Sequence, residues 1–225
     1  LGAIVSIGYD LNASHEAVEI AERHDRIYAA VGVHPHNAKT VDGESLNSLR
    51  ILAHNRKVVA IGEIGLDYYR NLSSRVKQKE AFQQQIALAN ELELPVIIHD
   101  RQAHADVSRF LRDSVNDAGG VMHCFSGSVE MAKEVVEHGY LISIAGPVTF
   151  PNAKNLHRLV RCLPEESIVL ETDCPWLSPQ SHRGKRNEPA FVLETARKVA
   201  ELKGIRFEEL VERSSRNAKR LFGIP

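Results

Sequence analysis

Seven short apolar runs alternate along this chain with stripes of helical period, and nothing else in it constrains the fold as strongly. The runs are Ala3 to Gly8, Ile27 to Val33, Val58 to Ile61, Pro95 to Ile98, Gly120 to Met122, Tyr140 to Ile144 and Ser167 to Leu170. The run Val58 to Ile61 is short and β-branched, as a strand buried on both faces should be. Between the runs the pattern predicts helices. Ser14 caps one that reaches His24, and Leu46, Leu49 and Leu52 mark the next. Phe82, Ile86, Ala89 and Leu92 stripe a long helix from Ser74 to Glu93. Further helices are expected over Ala103 to Ser114, from Ser128 to a stop at Gly139, and over Ala153 to Cys162. Pro189 opens a closing helix that Gly204 ends, and Glu208 to Phe222 forms a helical tail.

Strands that alternate with helices form a parallel sheet. Seven such repeats are one short of an eight-stranded barrel. The expected fold is therefore α/β, a TIM-type (β/α)8 barrel lacking its first strand, with residues 1–225 forming one N-terminally truncated domain. A doubly wound open sheet is the alternative. It usually carries a phosphate-binding glycine fingerprint after its first strand, and Ile7-Gly8-Tyr9-Asp10 is not that fingerprint.

Charge narrows the function classes. Lys+Arg 28 nearly balances Asp+Glu 29, which excludes a strongly basic nucleic-acid clamp but leaves room for a local basic patch. Cys124, Cys162 and Cys174 are odd in number and lack Cys-x-x-Cys spacing, so reduced thiols in the cytoplasm are expected. No apolar run approaches the ~20 residues of a membrane span, and no signal peptide opens the chain.

Chemistry concentrates where the runs end. Gly62-Glu63-Ile64-Gly65-Leu66-Asp67 follows the third run directly. Its glycines let the backbone turn and set Glu63 and Asp67 at the mouth of a strand that opens into a loop, with Asp67 expected to contact the substrate. His34, His99, His123 and Asp173 end other runs. In a barrel all these ends lie on one face, where active sites are built. Two imidazoles and two carboxylates (His99, His123, Glu63 and Asp173) suit zinc, manganese or iron, and magnesium less well because of the nitrogens. A pair of such ions activates water and stabilises the leaving oxygen of a phosphodiester. The remaining histidines weigh differently. His15, His24, His54, His138 and His157 read as solvated helix residues, and His104 as structural.

Two stretches bear on the substrate. Arg183-Gly184-Lys185-Arg186-Asn187-Glu188-Pro189 sets three cations before a helix N-terminus, ten residues beyond Asp173, where Arg183 and Arg186 can grip phosphate. Taken alone, such a loop is as readily a solvated basic turn. Arg101 adds another cation at a strand end, and His34-Pro35-His36 offers a proton donor or a phosphate contact.

These residues together resemble the TatD family of metal-dependent deoxyribonucleases. The matching stretches are Gly32 to His36, Gly62 to Tyr68, Pro95 to Arg101, His123 to Gly127, Glu171 to Leu177 and Arg183 to Pro189. The resemblance implies a (β/α) barrel holding one or two divalent ions, zinc, magnesium or manganese. It makes Glu63 the bridging ligand, places His99 and His123 on one ion and Asp173 on the other, and has Asp173 orient or deprotonate the attacking water. His34 would face the scissile phosphate. The implied substrate is DNA, single-stranded, degraded from 3′ to 5′. Most members also carry a His-x-His pair on the first strand, which this chain does not contain, so the first metal site is expected to be incomplete. Two other readings stay open. One is hydrolysis of a small ester, lactone or amide on the same scaffold, and the other is nucleic-acid binding around a structural metal.

Overall fold

The computed structural model describes residues 1–113 and 118–225. They pack as two compact units, Leu1–Val121 with Leu221–Pro225, and Met122–Arg220.

The first unit contains β1 (Ile4–Ile7), α1 (Leu11–Arg23), β2 (Ile27–Val31), α2 (Gly43–Ala53), β3 (Val58–Asp67), α3 (Arg75–Glu91), β4 (Val96–Arg101) and α4 (His104–Asp113), and β5 (Gly120–Met122) lies at its end. Successive strands pair in parallel, β1 with β2, β2 with β3 and β3 with β4. Their order in the sheet follows the chain without reversal. A doubly wound sheet reverses at a switch point, whereas a barrel repeat does not. Ala29, Ala30, Val31, Ala60 and Ile61 are fully buried, which explains why these runs are apolar at consecutive positions and do not alternate.

The second unit contains α5 (Val129–Glu137), β6 (Tyr140–Ile144), α6 (Lys154–Cys162), β7 (Ile168–Leu170), α7 (Val192–Lys203) and α8 (Phe207–Phe222). Strands β6 and β7 pair in parallel, Ile142 opposite Ile168 and Ile144 opposite Leu170.

Three local expectations change. Asp10, not Ser14, caps α1, its carboxylate accepting the Ala13 N–H at 2.8 Å. Ser14 is buried one turn later, and its hydroxyl bridges the N–H and C=O of Gly32 at 3.1 and 3.3 Å. Strand β3 does not open into a loop at Gly62 but continues to Asp67. Pro189 begins a short 3₁₀ turn, Pro189–Phe191, and α7 starts only at Val192. Ser114, the expected end of α4, lies outside the described residues. Among the described residues no helix is long and apolar enough to cross a membrane. All three cysteines are free thiols.

Candidate active site

In the first unit three strand ends carry the chemistry. Between Ile61 and Ile64 strand β3 advances three residues while β4 advances two, from Val96 to Ile98, so an extra residue bulges out at Gly62-Glu63. Bulges of this kind re-aim a side chain without ending the strand. Past the bulge, Gly65 pairs with His99 and Asp67 with Arg101. Gly65 has φ +140°, and a Cβ there would lie 2.1 Å from the His99 carbonyl oxygen, so only glycine lets the two strands close.

The His99 ring consequently sits between two carboxylates. Its Nδ1 is 2.6 Å from Glu63 Oε1, and its Nε2 is 3.3 Å from Asp67 Oδ2. His34, just beyond β2, completes the group, with its Nε2 3.3 Å from His99 Nδ1 and 3.6 Å from Glu63 Oε1. The donor atoms of His34, Glu63 and His99 all lie within 4.8 Å of one another. For an ion held by Glu63 and His99, the 2.6 Å between their facing atoms would open to the about 3 to 3.5 Å that separates ligands at bonds of about 2.0–2.2 Å.

Hydrogen bonds assign different parts to the two imidazoles. Burial lowers the pKa of His34 to about 3, against an opposing pull from Glu63, so the ring is neutral. Its Nδ1 accepts the His36 N–H at 3.1 Å, which leaves the proton on Nε2. His34 thus presents a donor toward Glu63 and His99. His99 has the opposite arrangement. Asp67 holds its Nε2, leaving Nδ1 beside Glu63, as in the carboxylate–histidine–metal units that fix a ligating ring.

Asp67, expected at the substrate, has a fully buried side chain behind His99. Burial opposes its ionisation, but hydrogen bonds from His99, the Arg70 N–H and His36 outweigh burial and hold its carboxyl well below the usual range. His36 Nε2 contacts Asp67 Oδ2 at 2.9 Å, so this residue too braces Asp67.

Two residues that the sequence did not flag hold this cluster in place. Gln85 of α3 accepts the Val33 N–H at 2.7 Å and donates to the Val33 C=O at 3.0 Å, gripping the peptides next to His34. Two helical turns earlier, Gln78 accepts the Asp67 N–H at 2.8 Å and donates to the Asp67 C=O at 3.0 Å. Both glutamines are buried among Ala81, Phe82, Ile86 and Ala89. Two polar residues seven apart inside an apolar stripe are the signal that was there to be read.

In the second unit His123 follows β5 and Asp173 follows β7. His123 Nε2 lies 3.6 Å from Asp173 Oδ1, and its Nδ1 lies 2.6 Å from Glu171 Oε2. The other Glu171 oxygen accepts the Cys124 N–H at 2.5 Å. Cys124 (φ 43°) and Asp173 (φ 55°) both adopt the left-handed region that side chains rarely occupy. Residues held there without glycine cluster at functional sites. Glu171 is the site residue missed here; it directly follows β7, two positions before Asp173, so the same motif contained it.

The basic stretch is tied to this loop. Asn187 is buried, and its amide donates to the carbonyls of Thr172 and Trp176 at 2.6 and 2.5 Å. Arg183 and Arg186 are exposed, with the Arg183 guanidinium 5.1 Å from the Phe150 ring. Arg101 is exposed at the end of β4 and lies 4.2 Å over the ring of Tyr69. His104 Nδ1 contacts Asp100 Oδ2 at 2.7 Å, the structural role expected of it. The structure thus joins His34, His36, Glu63, Asp67 and His99 in the first unit, and His123 and Asp173 in the second.

Parallel strands in chain order, with imidazoles and carboxylates at their ends, define a metal-dependent hydrolase of the barrel class. A family profile described as TatD related DNase matches residues 1–223, and the chain belongs to that family. It is 47% identical over 222 residues to the metal-dependent hydrolase YabD of Bacillus subtilis, spanning 98% of this chain and 87% of that one. A protein of Erwinia tasmaniensis named 3′-5′ ssDNA/RNA exonuclease TatD is 38% identical over 218 residues, 94% of this chain and 84% of its own. The crystal structure of YJJV, a TatD homologue from Escherichia coli K12, superimposes with a TM-score of 0.95 at 31% identity, covering 100% of this chain and 88% of that one. The TIM-type barrel class expected from the alternation is the fold class of this chain.

Proposed function

We propose that this hydrolase cleaves phosphodiester bonds in single-stranded nucleic acid, DNA or RNA, removing nucleotides from the 3′ end. The observation that carries the reading is His99, held by buried Asp67 so that its Nδ1 meets Glu63. Glu63 and His99 are the ligands of the first unit, and His123 and Asp173 those of the second. The nitrogen-containing set favours zinc or manganese over magnesium. A bound divalent ion supplies acidified water and neutralises charge on the phosphate.

The chain's own residues do the rest. His34, neutral with its proton on Nε2, donates a hydrogen bond to a phosphate oxygen. Asp67 and Glu171 fix the rings of His99 and His123. Asp173 accepts the proton of the attacking water. Arg183 and Arg186 bind phosphates further along the strand. The name carried by the Erwinia tasmaniensis relative supports the choice of substrate.

The test is cleavage of 5′-labelled single-stranded DNA and RNA with added Mn²⁺, Zn²⁺ or Mg²⁺. Products shortened one nucleotide at a time from the 3′ end are expected, and Glu63→Gln and Asp173→Asn should abolish them. Absent cleavage, or cleavage that both variants retain, overturns the proposal. Turnover of a lactone or aryl ester in its place would favour the small-ester reading.

A further inference from the structure

Beyond the ligands, the rim that follows β3 and β4 has a chemistry of its own. Tyr68, Tyr69 and Arg70 come directly after Asp67. Arg101 stands two residues past His99, on the same face of β4 by strand alternation and about 7 Å further along it. Each tyrosine carries a guanidinium, Arg75 over Tyr68 and Arg101 over Tyr69, both at 4.2 Å from the ring centroid.

The two tyrosines are otherwise unlike. Tyr68 is anchored, its hydroxyl donating to Asp106 at 2.6 Å. Tyr69 is 57% exposed, so its ring keeps open area beyond what the guanidinium covers. The acids nearby are already engaged, Asp106 by Lys79 and Arg109, Asp100 by His104, and Asp67 by its buried contacts. Arg70, Arg75 and Arg101 have no carboxylate partner among the described residues. The rim therefore presents an open aromatic face set among unneutralised cations.

We propose that Tyr69, braced by Arg101, is a base-stacking platform for the nucleotide next to the phosphodiester being cleaved. The proposal rests on the single-stranded nucleic-acid reading above and names how the strand is held. Every base has a π face, so such a platform serves DNA and RNA alike without selecting sequence. The guanidinium lies over one face of the ring, leaving the other for a base, and attracts the backbone phosphate.

The experiment crosses the protein ring with the substrate base. KM and kcat are measured for wild-type protein, Tyr69→Ala and Tyr69→Phe on two single-stranded DNA oligonucleotides. One is ordinary; the other has abasic sites at its last three 3′ positions. Tyr69→Ala should raise KM on the ordinary strand by about tenfold, the size of one lost base stack, with kcat little changed. Tyr69→Phe should behave as wild type. On the abasic strand Tyr69→Ala and wild type should be equal, because the partner of the ring is gone. A Tyr69→Ala effect of the same size on both strands, or none on the ordinary one, overturns the platform while leaving the nuclease reading intact. Wild-type protein that cleaves neither strand overturns the nuclease reading, and the platform with it.

Discussion

The two units solve one problem in opposite ways. Each fixes an imidazole by a carboxylate on one ring nitrogen and leaves the other nitrogen facing a second carboxylate. In the first unit Asp67 holds His99 by Nε2, and Nδ1 meets Glu63. In the second Glu171 holds His123 by Nδ1, and Nε2 faces Asp173. The supports differ as well. Asp67 is buried and its backbone is clamped by a helix glutamine, so regular structure sets the geometry. Asp173 sits in a left-handed backbone conformation on a loop tied down by Asn187. The first arrangement is held by the core and the second by a network of backbone contacts.

The largest effect should come from the rings themselves. His99→Ala and His123→Ala are each expected to lower cleavage about a thousandfold, about 4 kcal/mol of barrier. Both should also reduce the bound metal found by elemental analysis of the purified protein. If one variant keeps full metal content and full activity, the two clusters are not equivalent and that histidine is only structural.

Next in size is the glutamine clamp on the peptides beside His34. Gln85→Met keeps the volume but strands the Val33 N–H and C=O in the core, at about 1–3 kcal/mol each. A loss of about 2–4 kcal/mol in urea denaturation is expected. Gln85→Glu should recover little of this, because it cannot donate to the Val33 carbonyl while ionised. A Gln85→Met protein as stable as wild type would show that water reaches these peptides.

How much of this the amino-acid order revealed depends on which physics sets each residue. Strand β6 is legible to the residue, since a buried parallel strand has to be apolar throughout and its neighbours cannot be. Glu63 and His99 are legible for a related reason, as polar groups abutting apolar runs. The length of β3 is not. A bulge and two close-packed glycines keep it in the sheet where Gly-Glu-Ile-Gly reads as a turn, and that close approach belongs to Ile97 and His99 of β4. Gln78 and Gln85 stayed hidden because glutamine on a helix is usually solvated, and their partners are backbone atoms that no side-chain pattern encodes. Asp67 reads as a substrate contact because nothing in its local sequence encodes that His36 and His99 close over it.

The backing carboxylates come third. Asp67→Ala and Glu171→Ala each release a ring without removing it, for which about 10- to 100-fold losses in activity or metal affinity are usual. The comparison between the units predicts a further distinction. Asp67→Ala should also lower stability, since it strips partners from His36 and the Arg70 N–H in a buried setting, whereas Glu171→Ala should act mainly on activity. Equal stability losses would erase the contrast between core-held and loop-held sites.

The smallest effect concerns the pair that resembles these two and differs in exposure. His104 and Asp100 meet at 2.7 Å, much like His123 and Glu171, but the His104 side chain is 42% exposed. The hydrogen bond to Asp100 raises the pKa of His104 above 6.5, against the opposing effect of burial. A histidine whose folded pKa is raised contributes its full stability below the unfolded value near 6.5, and loses it as pH rises through the folded value. His104→Ala should therefore destabilise at pH 5.5 and be close to neutral at pH 9. Solvent screening limits the difference to a few tenths of a kcal/mol. Urea midpoints of both proteins at the two pH values decide it. A deficit that is larger at pH 9 than at pH 5.5 would mean that the packing of the neutral ring matters more than its charge. His104 would then be a third fixed imidazole and not a surface ion pair.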